Sequence, residues 1–280
     1  FILTLTGFLS RVIGFFYRIF LSHTFGEEGV GLYQLIFPVF ALGFSFTAAG
    51  IQVALSRIIA QKVSLGRHRE AKHVLFTGLL ISLTLSIAVT IFLQTNAQWI
   101  AVHLLGDIRC INLLIAMSYA FPFASVHSCV CGYYLGLKNT KELALSQLVE
   151  QTVRVASVYI ICTIMLKQNI ALPVTVAVFG LVIGDVAAAF YCILTFSKSK
   201  TASARSMPTL TNPFSGAKEL LVHSVPLTAN RVLLNILQSI EAVSIPGCLM
   251  LAGFSNSNAL SIYGVLTGMA LPCILFPSAV

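Results

Sequence analysis

Residues 10–20 read SRVIGFFYRIF, an apolar run that nevertheless carries Arg11 and Arg18. Seven residues are close to two turns of an α-helix, so both guanidinium groups share one face, with Gly14 between them. Such a helix has two environments, lipid on one side and something polar on the other. The whole chain supports the first of these. It is 57% hydrophobic and only 9% charged, where a soluble domain is about a quarter charged, and its mean hydropathy is +0.91. The apolar runs are continuous rather than alternating, which calls for helices rather than a barrel. The expected fold class is all-α, a polytopic transmembrane helix bundle.

Eight spans are expected, at Phe1–Leu21, Gly31–Ser56, Val74–Leu93, Ile111–Leu135, Leu143–Met165, Leu172–Phe196, Leu220–Leu251 and Ala259–Val280. Most are long enough to cross about 30 Å of hydrocarbon, and the seventh is long enough to tilt or project into water. Pro38, Pro122, Pro226 and Pro272 fall inside spans, where neighbouring helices or cavity water must satisfy the carbonyls they free. The stretch Asn96–Asp107, with Trp99 and His103, reads as an interfacial segment. The sequence begins and ends within apolar segments, which reads as a piece of a longer chain.

Basic residues set the orientation. The loops after the second, fourth and sixth spans carry eleven Lys and Arg, against two (Arg109 and Lys167) in the alternate loops. By the positive-inside rule the even-numbered loops and the N-terminus are cytoplasmic, in the cell membrane. The same rule accounts for the net charge of +8, so no nucleic-acid partner is implied. Most of the seven cysteines lie in apolar runs and read as small buried hydrophobes; Cys129 and Cys131 lack ligand partners in sequence, so neither disulfide nor metal is expected. There is no phosphate loop, metal-ligand cluster or nucleophile–base pair, which points away from an enzyme and from any cofactor.

The remaining four arginines lie within spans: Arg11, Arg18, Arg154 and Arg231. So do Glu150, Asp185 and Glu241. Each ionised group at mid-bilayer costs about 2.5–3.5 kcal/mol on insertion scales unless it meets a cavity or a partner. Three helices carry polar stripes: the first (Arg11, Arg18), the fifth (Gln147, Glu150, Gln151, Arg154, Ser157) and the seventh (Thr228, Arg231, Asn235, Gln238, with Glu241 nearby). Glu150 and Arg154, at i and i+4, read as a structural pair. Asp185, between Gly180 and Gly184, reads either as a proton or cation site or as a hydrogen-bonded packing residue. Arg18 reads either as cavity-lining or as snorkelling to headgroups. Arg11 and Arg231 have no close carboxylate in sequence, so a cavity-facing role is favoured for them. An arginine excess facing a cavity implies an anionic substrate, because guanidinium matches phosphate oxygens bidentately.

A weak internal match pairs SRVIGF in the first span with NRVLLN in the seventh, and Tyr33 with Tyr263. It suits a transporter built from two related halves. The run GFLSRVIGFFYRIFLSHTFGEEGVGLYQLIFPVFALGFSFTAAGIQVALSRIIAQK resembles the opening of the stage V sporulation protein B family of polysaccharide-biosynthesis membrane proteins. VPLTANRVLLNILQSIEAVSIPGCLMLAG and SIYGVLTGMALPCILFPSAV resemble that family's seventh and eighth helices. The family belongs with the lipid II flippases in the multidrug/oligosaccharidyl-lipid/polysaccharide exporter superfamily. The resemblance implies a two-lobed exporter fold of about fourteen helices around a central cavity, working by alternating access. Residues 1–196 would be the first six-helix lobe, 197–219 a basic cytoplasmic loop, and 220–280 the first two helices of the second lobe.

The resemblance further implies that Arg11, in Ser-Arg-x-x-Gly-Phe, lines the cavity and that cavity arginines engage the diphosphate of a lipid-linked saccharide. Arg18 follows at the spacing of the sporulation branch; in the lipid II flippases the second arginine comes one residue sooner. Substrate-binding candidates are therefore Arg11, Arg18, Arg231, Asn235 and Gln238. Glu150, Arg154, Asp185 and Glu241 are candidates for an ion or proton site or a structural pair, with a coupling cation as a candidate partner. The expected activity is a flippase or exporter of a lipid-linked saccharide precursor. The chief rival is a cation-coupled multidrug exporter of the same superfamily, which would use those carboxylates. A membrane glycosyltransferase would need a larger outer loop, and a scaffold role has little left to explain once topology accounts for the basic loops.

Overall fold

A computed structural model describes residues 2–169, 172–198 and 213–275. Among the described residues there is no strand. The helices are α1 (Ile2–Phe44), α2 (Gly50–Ser64), α3 (His68–Trp99), α4 (Cys110–Ser118), α5 (Ala120–Gly136), α6 (Thr140–Lys167), α7 (Thr175–Lys198), α8 (Pro213–Leu251), α9 (Asn256–Gly264) and α10 (Leu271–Leu275). Short π-helical turns at Ser45–Ala49, Ile100–Leu104 and Val265–Ala270 continue α1 into α2, extend α3, and join α9 to α10. Five helical segments are long and apolar enough to cross a membrane, or six if the bent pair α4–α5 counts as one span.

The first of those segments is continuous helix except at Gly26, where φ is 72° and ψ is 173°. That conformation is open to glycine and strained for any residue with a Cβ. Tyr17 and Tyr33 meet across the corner, whereas a straight helix would hold residues so spaced about 24 Å apart. So α1 is a hairpin of two limbs. Sequence patterning suggests a loop over residues 22–30; a single glycine suffices instead. Glu27 and Glu28 then open the second limb, where the helix dipole favours carboxylates.

Other expectations shift in the same direction. Within Asn96–Asp107, α3 and its π-turn stay helical to Leu104, close to Gly106 with its φ of 72°. Trp99 still stacks on His103, ring centroids 5.4 Å apart, and remains exposed. The fourth span bends by 42° between α4 and α5. Pro122 cannot donate to the Ser118 carbonyl, and the Thr90 hydroxyl of α3 donates to that oxygen instead, at 3.0 Å. Most of the loop 197–219, and the last residues of the eighth span, lie outside the described residues.

Helices approach closely where a Cβ is missing. A methyl at Gly184 of α7 would sit 2.9 Å from the Glu150 carbonyl oxygen of α6. Close approach brings α7 against the polar stripe of α6. The π-turn at Ser45–Ala49 is braced from two sides: Ser82 of α3 donates to the Thr47 carbonyl at 2.6 Å, and the Asn235 amide of α8 donates to the Ala41 carbonyl at 3.1 Å. Large apolar side chains such as Leu80, Phe92, Phe190 and Leu237 point outward. Lipid is the solvent that fits such a surface.

At one end of the bundle Lys62 lies in the last turn of α2, and the connections after α2 and α5 carry Arg67 and Lys138. At the other end, three turns are tied together. Arg109 donates to Asp107 at 2.7 Å and to Glu28 at 2.8 Å, and the Asn256 amide donates to Asp107 at 3.2 Å. Hydrogen bonds from Arg109 and Ser257 hold the Glu28 carboxyl below its ordinary value. Burial pushes the Asp107 carboxyl up, but hydrogen bonds from Arg109 more than offset this and hold it low.

Candidate functional site

A cavity of about 540 Å³ opens between the two limbs of α1, α6 and α10. The first limb supplies Arg11, Gly14, Tyr17 and Arg18; the second supplies Tyr33, Gln34 and Phe37; α6 supplies Gln151 and Arg154; α10 supplies Pro272. Three arginines thus line one space whose lining contains no carboxylate among the described residues. The seven-residue spacing on α1 fixes two of them on one wall, and α6 contributes Arg154.

Arg154 is held from behind. Its Nη2 donates to Glu150 at 2.5 Å and lies 3.8 Å from Asp185 of α7. The pair expected from the i, i+4 spacing is formed, and the close helix approach at Gly184 lets Asp185 join it. The cluster is buried, and two of its atoms, Arg154 Nε and Asp185 Oδ2, have no partner among the described residues. Arg11 differs: it is exposed and has no carboxylate partner among the described residues. A buried, paired cation and a bare one therefore share the cavity.

A second chamber of about 350 Å³ adjoins the first and shares Gln34 and Phe37 with it. Gln238 and Glu241 of α8, with Tyr263 and Thr267, line it. Asn235 is committed to bracing the π-turn. Arg231 lines neither chamber. It shares a helix face with Gln238 but lies two turns, about 10.5 Å, nearer the basic end. The expected set is therefore divided: Arg11, Arg18 and Arg154 come together, Gln238 and Glu241 form the neighbouring wall, and Arg231 and Asn235 stand apart. Gln34 was missed by sequence reasoning. Its signal was a strong hydrogen-bonding side chain inside an otherwise apolar run.

The family model for polysaccharide biosynthesis protein matches residues 1–279. The chain belongs to that family. It is 32% identical over 279 residues to stage V sporulation protein B of Bacillus subtilis (strain 168), covering 99% of this chain and 54% of that protein. It is 24% identical over 219 residues to the lipid II flippase MurJ of the same organism, covering 74% of this chain and 40% of that protein. The chain thus spans about half the length of the curated relatives it matches. Among solved structures, an inward-facing multidrug resistance MATE family transporter superposes with a TM-score of 0.69 at 17% identity, over 97% of this chain and 60% of that one. A second MATE multidrug transporter, DinF-BH, also gives 0.69, at 14% identity, over 98% of this chain and 60% of that one. The fold is that of the helical exporters, and these names are those of a flippase and of transporters rather than of enzymes.

Proposed function

We propose that this chain forms the first lobe, and the opening of the second, of a flippase that moves a lipid-linked saccharide across the bacterial cell membrane. Residues 1–196 make the lobe, 197–219 the basic cytoplasmic loop, and 220–280 begin its counterpart. The excess of basic residues in the even-numbered loops supports a cytoplasmic N-terminus. The observation that carries the reading is the convergence of Arg11, Arg18 and Arg154 on one cavity without a lining carboxylate. A wall of arginines favours a doubly charged, multi-oxygen group, and a diphosphate offers oxygens for bidentate pairing on both sides.

The headgroup would leave the cytoplasmic surface for the cavity while its lipid tail stays in the bilayer. Rocking of the lobes would expose it outside, and the differential affinity of the two states for the headgroup would bias that motion. Relatives named as a lipid II flippase and a sporulation protein suit such cargo. The unpartnered Asp185 oxygen behind Arg154 supports a coupling proton or cation there.

A second reading, a cation-coupled drug exporter, draws on Glu241 in the adjoining chamber and on the transporter fold. The two are separated by reconstituting the whole protein and following fluorescent lipid II. The flippase reading expects translocation by wild type and its loss in a folded Arg11→Ala variant. Ion-driven efflux of a cationic dye without lipid II movement supports the exporter instead.

A further inference from the structure

Behind the arginine cavity lies a cluster that the transport reading does not use. His127 and Cys131 sit one turn apart on α5, and Cys192 reaches them from α7; their ligand atoms all lie within 4.8 Å of one another. We propose that these three residues form a binding site for a soft divalent cation of the zinc class, bolting α5 to α7.

Three features argue for ligation rather than coincidental packing. The first is the donor set. Two sulfurs and an imidazole suit zinc and disfavour oxygen-seeking cations such as magnesium. Two thiolates with a neutral imidazole also cancel a dication, so the loaded site is electroneutral in a buried setting where net charge is costly. The second feature is aim. His127 Nε2 lies 3.2 Å from the buried Ser146 hydroxyl of α6, and Cys131 Sγ lies 3.5 Å from the same oxygen, so both donors face one point. Ser146, close to both donors, can supply a fourth ligand directly or through a bound water.

The third feature is the outer shell. The other imidazole nitrogen, Nδ1, lies 3.6 Å from Glu150. A carboxylate at that distance electrostatically favours the tautomer with its proton on Nδ1, which leaves the Nε2 lone pair for the metal. Tetrahedral zinc would place its ligand atoms about 3.5–3.8 Å apart, so loading needs only a small contraction. His127 and Glu150 keep slightly more exposure than the thiols, which are buried. Cys129, two residues from Cys131, faces away and donates weakly to the Gly78 carbonyl at 3.8 Å. It is an internal control. Sequence reading left Cys131 without metal-binding partners because Cys192 is brought in by the fold.

The test uses the reduced protein purified in detergent, with zinc content measured after loading and desalting, and cobalt(II) as an optical probe. The expected result is one zinc per chain and a sulfur-to-cobalt charge-transfer absorption. Cys131→Ser or Cys192→Ser abolishes both, His127→Ala weakens zinc binding at least about tenfold, and Cys129→Ser changes neither. Should a substitution prevent folding, the wild-type spectrum still decides. Absence of cobalt–thiolate absorption in folded wild type overturns the proposal, as does equal loss of metal from Cys129→Ser.

Discussion

Arg11 and Arg109 are both accessible arginines, and their surroundings are opposite. Arg109 closes a ring of Asp107 and Glu28 and ties three turns at one end of the bundle. Arg11 faces a cavity and has no carboxylate partner among the described residues. Arg154 stands between them, lining the same cavity yet gripped by Glu150 and Asp185. Pairing thus separates cations that hold the fold from cations available to an anion, and substitutions at each locate the boundary.

The largest effect on stability is expected at Arg154. Arg154→Leu leaves two buried carboxylates without their cation and should destabilise by about 3–5 kcal/mol, read as a fall in the thermal unfolding midpoint in detergent. A much smaller fall would mean that Glu150 and Asp185 are already neutral or hydrated. Next comes Arg11→Ala, which should leave the unfolding midpoint nearly unchanged. Losing a charge-assisted contact of about 1.5–3 kcal/mol should weaken diphosphate binding some ten- to hundred-fold. Arg231→Ala, outside both chambers, should weaken it far less; an equal loss would extend the binding surface toward the basic end.

Asn235→Ala removes the brace on the π-turn and should cost about 1 kcal/mol of stability. The smallest effect is expected at the opposite end. Glu28 and Arg109 are partly exposed, so Glu28→Gln, which leaves the buried Asp107 with its Arg109 contacts, should cost about 1 kcal/mol or less. Both carboxylates of this ring titrate below their ordinary values. Their contribution is therefore present at neutral pH and lost as pH falls through and below about 4. Hydrogen exchange in the turns around Glu28, Asp107 and Asn256 should accelerate on acidification in wild type. In Arg109→Ala it should already be fast at neutral pH.

Much of this was legible in the sequence because it depends on local chemistry. Span positions follow from hydropathy, the Glu150–Arg154 pair from helical spacing, and the shared wall of Arg11 and Arg18 from their separation of two turns. What escaped depends on contacts between distant segments. The corner at Gly26 looked like a loop because its flanking residues are polar, although they are good helix formers. Arg154 reads from sequence as part of a polar stripe and as an ion-site or structural-pair residue, not as a neighbour of Arg11 and Arg18, since nothing local shows that α6 packs against the first limb of α1. The rotation of α8 is set by Asn235 reaching Ala41 and by the contact of Gly50 with Thr228. Without those contacts, Arg231 could not be told from Gln238. The meeting of His127 and Cys131 with Cys192 likewise exists only once α5 and α7 are packed together.

The central claim, that the arginine cavity takes a diphosphate, is tested most directly by equilibrium binding. The whole protein in detergent would be titrated with a polyprenyl diphosphate and with the matching monophosphate. The expected result is tighter binding of the diphosphate by wild type, with most of that preference lost in Arg11→Ala. Equal affinity for the two lipids, or an unchanged preference in a folded Arg11→Ala variant, would contradict the claim.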